Sequence, residues 1–176
     1  MTDVVLRPVR RADLDALVVL CAEHAAYEGS AYDSTGKAQR LGALLFGEVP
    51  AVFGFVAAQA DRLVGFATWM PQLSTWDAAR YAHLDCLYLR PEARGRGLGR
   101  RLMARVAQAA CAAGCDRMEW QTPTSNAPAI RFYERLGATS KAKRRFYLDG
   151  EAWHHLRAAP SHPDDAIPDN ALLPNA

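Results

Sequence analysis

The sequence predicts an α/β domain with a mixed, mostly antiparallel central sheet flanked by helices. Three observations predict it. Hydrophobic spacing changes from helical to strand-like near residue 52 and returns to helical after Gly97. Two pairs of strand-like runs are joined by short turns, which supplies antiparallel pairing. Helical runs also separate later strands, and such crossovers supply parallel pairing.

Val4 to Arg7 is a short apolar strand stopped by Pro8. Asp13 is placed to cap a helix through about Tyr27, with Leu14, Leu17, Val18 and Cys21 at helical spacing. A second helix is expected over Lys37 to Phe46, ended by Gly47. Val52 to Gln59 and Leu63 to Met70 read as strands joined across Ala60-Asp61-Arg62. His83 to Leu89 is a third strong strand, closed by Pro91. From Gly97 a helix follows, with Leu98, Leu102, Val106, Ala109 and Ala113 on one stripe and Gly114 at its end. Arg117 to Gln121 reads as a strand. Thr124 or Ser125 is placed to cap a helix that begins near Ala127-Pro128 and ends at Gly137. Arg145 to Leu148 and Ala152 to Leu156 are expected to form a hairpin across Asp149-Gly150. Residues 1–157 are thus one domain. Residues 158–176, with four prolines and three aspartates, form a tail expected to be extended or disordered.

The chain has 176 residues, half of them apolar, and a net charge of +2, too small to imply a nucleic-acid partner. Its arginines are nonetheless clustered: Arg90, Arg94, Arg96, Arg100, Arg101 and Arg105 suit a compact anionic ligand. Cys21, Cys86, Cys111 and Cys115 form no CxxC pair and are expected to be reduced thiols; no metal site is expected. No run approaches the ~18 uninterrupted apolar residues of a membrane span. The chain reads as cytoplasmic, with no membrane partner.

The cluster centres on Arg94-Gly95-Arg96-Gly97-Leu98-Gly99, between a strand and a helix start. Unpaired N–H groups and a partial positive charge make a helix start a phosphate site. Gly97 and Gly99 would let a ligand approach the main chain, and Arg94, Arg96 and Arg100 add charge. A P-loop would require Gly-Lys-Ser/Thr where this chain has Gly99-Arg100-Arg101. Glycines at 95, 97 and 99 also miss the dinucleotide-binding spacing.

The loop matches R-x-x-G-x-G, and Asn126-Ala127-Pro128-Ala129-Ile130-Arg131-Phe132-Tyr133-Glu134-Arg135-Leu136-Gly137 matches a second signature, N-x-x-A-x-x-F-Y-x-x-x-G. Together they resemble the GNAT N-acetyltransferases over roughly residues 2–157; Ala138 departs from the common Phe. The resemblance implies the acyl-CoA N-acyltransferase (GNAT) fold, acetyl-CoA as co-substrate and often a homodimer. It places the pantetheine arm along Leu87, Tyr88 and Leu89, chiefly on the backbone of the two leucines. It places the pyrophosphate on amides from Gly95 to Arg100, with Asn126 contacting the cofactor from the second helix. It assigns Tyr133 as the acid that protonates the leaving sulfur.

An amine must lose a proton before it attacks a thioester, so a nearby base or water chain helps. Asp85 interrupts an apolar strand, where a carboxylate is either paired or desolvated. His83 shares its face if the strand is regular, and waters alone are the third choice. The pieces Cys21 to Glu28, Ser74 to Asp77, and Leu84-Asp85 resemble the diamine and thialysine acetyltransferase branch. That resemblance places Glu28, Trp76 and Asp85 around a small primary amine, held by carboxylates and an indole face. Aminoglycosides and peptide or protein N-termini remain alternative acceptors. A non-catalytic CoA- or nucleic-acid-binding module is the alternative outside enzymes, although no aromatics are interleaved with the arginines.

Overall fold

Five strands form one sheet in the order β1-β2-β3-β4-β5, antiparallel except for the last pair. The computed structural model describes residues 3–159, and the chain divides into two units, Met1–Ala138 and Thr139–Ala176. In the first unit, β1 (Val4–Pro8) leads through a short turn into helix α1 (Leu14–Tyr27) and then α2 (Lys37–Phe46). Strands β2 (Phe53–Gln59), β3 (Arg62–Ser74) and β4 (Ala79–Leu89) form a meander. Helix α3 (Leu98–Ala112), the two-residue β5 (Met118–Glu119) and helix α4 (Ala127–Arg135) complete it.

Each face of the sheet carries its own core. Val64, Ala67, Trp69 and Leu84 pack against Leu98, Leu102, Met103, Val106 and Ala110 of α3. On the other face Val56, Phe66 and Tyr88 pack against Leu17 and Leu20 of α1 and Leu45 of α2. The expected α3 stripe is therefore present, with Leu102 and Val106 fully buried at its centre and Met103 and Ala110 joining it.

Asp13 does not cap α1 through its side chain. A 3₁₀ turn over Arg11–Asp13 precedes the helix, and the Asp13 carboxylate instead accepts from the Arg10 N–H at 2.7 Å. It also takes two bonds from the Arg7 guanidinium, at 2.6 and 2.8 Å, which ties β1 to the start of α1. A bidentate guanidinium competes well for a carboxylate against neutral amides. The cap of α4 is likewise neither Thr124 nor Ser125. Asn126 supplies it, its Oδ1 accepting from the Ala129 N–H at 3.3 Å.

Three strands differ clearly in length from the sequence expectation. The β3–β4 ladder extends to Ser74↔Ala79, beyond Met70 and His83. The strand expected over Arg117 to Gln121 is confined to Met118–Glu119.

In the second unit, the hairpin expected over Arg145–Leu148 and Ala152–Leu156 is absent. Helix α5 (Gly150–Arg157) stands there instead. A tight hairpin needs positive φ across its turn, but Asp149 is extended at φ −140° and only Gly150 is positive. The segment has no β-branched residue, and it carries Glu151 in its first turn and His154, His155 and Arg157 in its last. That charge order complements the helix dipole. The tail from residue 160 lies outside the described residues.

Candidate active site

Strand β4 is where the sheet opens. It pairs with β5 only at Ala82↔Met118 and His83↔Glu119. Beyond His83, among the described residues, no strand pairs with that edge. Arg90 N–H donates to Val64 O of β3 at 2.9 Å. Strand alternation therefore turns the N–H and C=O of Leu87 and Leu89 away from β3, into the opening. Tyr88, two residues before Arg90 and paired with Phe66, turns its backbone groups toward β3, and its ring lies under α1. An extended, hydrogen-bonding ligand chain is what such a free edge accepts. Leu89 O is already met by Arg94 Nε at 2.8 Å.

Asp85 sits at a β-bulge. Thr68 pairs with Cys86 and Trp69 with Leu84, which leaves Asp85 as the extra residue of β4. The bulge resets the alternation. Leu84 packs on the α3 face, and so do Leu87 and Leu89, three and five positions later. Cys86 and Tyr88 face α1. A regular strand would have put His83 and Asp85 on one face; with Asp85 as the extra residue, alternation alone no longer fixes that relation. Asp85 is exposed, and its Oδ2 is approached by Thr68 Oγ1 at 3.5 Å and Cys86 Sγ at 3.6 Å. Burial, Asp85 and Cys21 together push the Cys86 thiol well above its ordinary range, so it stays protonated.

The loop after β4 provides the second wall. Gly95 and Gly97 take φ of +73° and +72°, the left-handed region that favours glycine, and Gly97 is the residue from which α3 starts. A Cβ at either would meet nothing within 4 Å, so the need is conformational. Gly99 is different. Its Cβ would lie 3.1 Å from Phe132 Cζ, so its smallness lets α3 approach α4. Leu98 is buried and offers only its backbone, whereas Arg94, Arg96 and Arg100 are exposed beside the helix start. Three exposed guanidiniums and a helix N-terminus suit an anion with several oxygens.

Helix α4 supplies the third wall. Tyr133 is half-buried, its ring 5.1 Å from Trp120 and 5.2 Å from Phe132. Burial, with smaller contributions from Glu28 and Cys86, pushes its phenol up to about 12. The group is therefore a proton holder at neutral pH. Asn126 uses Oδ1 for its cap and also receives Tyr27 OH at 3.4 Å, leaving its NH₂ as the group to donate to a ligand.

Helix α1 lies across the other face of the sheet. Cys21, His24 and Glu28 fall at i, i+3 and i+7, which places them on one face. That face is turned to the sheet: Cys21 packs on the core containing Tyr88, and the His24 ring stacks on Tyr88 at 5.4 Å. Tyr88 OH approaches Glu23 Oε2 at 3.5 Å, while Arg90 binds Glu23 with three bonds of 2.7 to 3.2 Å. Arg94 lies over the rings of both Tyr27 and Tyr88.

Glu28 and Cys86 act on the Tyr133 phenol and Asp85 adjoins Cys86, while Trp76 lies elsewhere in this chain. It is at the tip of the β3–β4 hairpin, 95% exposed. Asp85 is six residues inward from the first paired residue of β4, about 20 Å by strand rise. The tip is held by Arg117, which reaches Asp77 at 2.6 Å and Glu119 at 2.8 Å. Sequence reasoning did not single out His24, Tyr27, Thr68 or Cys86. The spacing of His24 and Glu28 was a usable signal; Thr68 and Cys86 required the register of the bulge.

The chain matches the Acetyltransferase (GNAT) family over residues 19–138. It is 28% identical over 165 residues to a thialysine N-epsilon-acetyltransferase of Sus scrofa, covering 89% of this chain and 93% of that one. Among solved structures, an integron cassette protein of V. cholerae shares 24% identity at a TM-score of 0.72, covering 90% of this chain and all of the other. The aminoglycoside N-acetyltransferase AAC(6')-Iy, solved with CoA, shares 17% identity at a TM-score of 0.71, covering 85% and 96%. A free strand edge, a glycine turn at a helix start and a protonated tyrosine facing them accord with these likenesses: the chain belongs to the GNAT family and is an N-acetyltransferase.

Proposed function

We propose that the protein transfers an acetyl group from acetyl-CoA to a small primary amine of the diamine, polyamine or lysine-analogue type, by direct attack of the amine on the thioester. The residues present fit the donor. Leu87 and Leu89 offer the pantetheine arm a backbone edge that no strand pairs among the described residues, with Leu89 O accepting from Arg94. The amides from Gly95 to Arg100, with the side chains of Arg94, Arg96 and Arg100, suit the pyrophosphate, and the Asn126 NH₂, its Oδ1 being used by the cap, is the group to meet the cofactor. When bound, acetyl-CoA supplies the acetyl group on a thioester whose sulfur needs a proton on leaving.

The observation that carries the reading is the meeting of the free β4 edge with Tyr133 on one side and two carboxylates, Glu28 and Asp85, on the other. The carboxylates attract a cationic amine and orient it toward the edge. Asp85 accepts the proton that the ammonium must lose, directly or through water. Its exposure at the bulge suits exchange of that proton with solvent. Tyr133 keeps its own proton at neutral pH and donates it to the sulfur. Cys86 and Thr68, both uncharged, leave the Asp85 charge uncompensated for the substrate. A cytoplasmic location and a homodimer also belong to the proposal; cell fractionation and light scattering test them.

The reading draws support from the thialysine-acetylating relative, whose named substrate carries a primary amine on a short chain. Thiol release from acetyl-CoA over diamines, polyamines, lysine analogues, aminoglycosides and short peptides tests it. Turnover with the first three classes is expected. Turnover confined to peptides or aminoglycosides overturns the acceptor assignment, and no thiol release with any amine overturns the donor assignment.

A further inference from the structure

His24 is the one histidine on the inner face of α1, and nothing in the proposed chemistry uses it. Its ring is fixed. Tyr88 stacks on it at 5.4 Å with planes 27° apart, and Phe66 meets it edge-on at 6.3 Å and 76°. Only 18% of the side chain is exposed. Its Nε2 lies 3.5 Å from Glu28 Oε1, one helical turn further on, and the Glu28 side chain is about two-thirds covered.

Other groups facing this imidazole come from each element packed there. Helix α1 brings Glu28, Glu23 and Tyr27; β3 brings Phe66, which does not titrate; β4 brings Tyr88 and Arg90; and the glycine loop brings Arg94 over the Tyr88 ring. Glu23 is consumed by Arg90. Arg94 is already over Tyr88 and disfavours a second cation nearby. Of the two uncompensated carboxylates, Asp85 on β4 and Glu28 on α1, Glu28 is the one within ion-pair reach of His24, and a charged His24 would pair with it.

We propose that His24 is a specificity-determining residue for the acceptor: neutral, it leaves Glu28 open to a cationic amine, and protonated, it occupies Glu28 itself. The inference rests on the proposed role of Glu28 in holding the amine. Only a proton moves. The imidazole takes one from solvent at Nε2, and the resulting cation competes with the substrate ammonium for the same two oxygens. Histidine is the side chain whose charge commonly changes between about pH 5 and 8. An alkyl diamine stays cationic throughout that window, so the competition is set by the protein. By linkage, the bound amine must weaken proton binding at His24 by the same factor that the proton weakens amine binding. Acceptor use is thereby matched to pH without a change of fold, and a neutral acceptor would escape it.

The test is the pH dependence of the amine KM, at saturating acetyl-CoA, for the wild type, His24→Gln and Glu28→Gln. For the wild type, KM for a diamine should rise by about three- to tenfold from pH 8 to pH 6, the strength of a part-buried ion pair. With His24→Gln that acid limb should vanish while kcat holds. Where His24→Gln does not fold, the imidazole proton resonance of His24 in the wild-type protein is titrated with and without diamine. Its midpoint should fall on adding amine. If Glu28→Gln leaves the amine KM unchanged, the acceptor-site reading itself fails. If Glu28→Gln raises KM but His24→Gln keeps the acid limb, or the His24 midpoint ignores the amine, the proposal for His24 alone is overturned.

Discussion

Replacing Tyr133 with phenylalanine removes one oxygen from a ring that keeps its place. The ring is packed against Trp120 at 5.1 Å and Phe132 at 5.2 Å, and both contacts survive the change. The displacement of the phenol from 10.0 to about 12 corresponds to roughly 3 kcal/mol in favour of the neutral form. That figure is an upper measure, since part of the ring remains in contact with water. It fixes the direction of the argument. Up to about pH 10 essentially every molecule carries the proton, so Tyr133 should contribute no basic limb to the rate profile. Losing a positioned general acid costs about 10²- to 10⁴-fold. We therefore expect kcat with a diamine to fall by about 10²-fold or more, with the dissociation constant for acetyl-CoA within about threefold of wild type. Single-turnover thiol release measures the first and calorimetric titration the second. A kcat within about twofold of wild type, at unchanged donor affinity, refutes the assignment of Tyr133.

Asp13→Asn tests the tie between β1 and α1. The Asp13 carboxyl is held below the usual carboxylate range by the Arg7 bonds first, then by the Arg10 amide, against an opposing effect of burial. Its contribution is thus complete above about pH 4 and fades as pH falls through the lowered folded value. Urea unfolding should show a loss of about 2–4 kcal/mol at pH 7 and a smaller gap from wild type at pH 3. Gly97→Ala places a Cβ in open space but at φ +72°, so it should cost about 1–2 kcal/mol in backbone strain and weaken acetyl-CoA binding, read by calorimetry. Trp76→Ala should change stability by no more than about 0.5 kcal/mol, given its exposure. A raised amine KM would support its place in the acceptor site, and an unchanged KM would remove it.

The strand, glycine turn and helix proposed to hold the cofactor were legible because their determinants are local. An apolar strand, Pro91, a glycine turn and an amphipathic helix follow one another within thirty residues, and each speaks through its own spacing. Asn126 was read as a ligand contact, yet its capping role passed to neighbours, since three adjacent polar residues can all cap and only backbone dihedrals decide. The acceptor side was less legible for a different reason. Whether Asp85 faces α1, α3 or the open edge depends on how β4 registers against β3, and the bulge is a property of two strands together. A pair such as Asp149-Gly150 serves a hairpin turn or a helix start equally well until φ at Asp149 is known. Trp76 shows the limit of motif matching, because a matched position can lie at a hairpin tip about 20 Å of strand away.

Arg94 has a second consequence. By donating to Leu89 O it already fills, from within the chain, the acceptor that an incoming pantetheine amide would use. The side chain is a built-in rival for its own ligand. On the proposed mode, a donor pairing with Leu89 O either shares the carbonyl's two lone pairs with Arg94 or displaces it, and a displaced guanidinium, still near Tyr27 and Tyr88, would be available to the phosphates. Deleting Arg94 would then remove an attraction and an obstruction together, so the affinity lost should be smaller than at Arg96, where only charge is removed. A basic residue in a phosphate loop can in this way act as a placeholder, keeping a strand edge satisfied until the molecule it is meant for arrives.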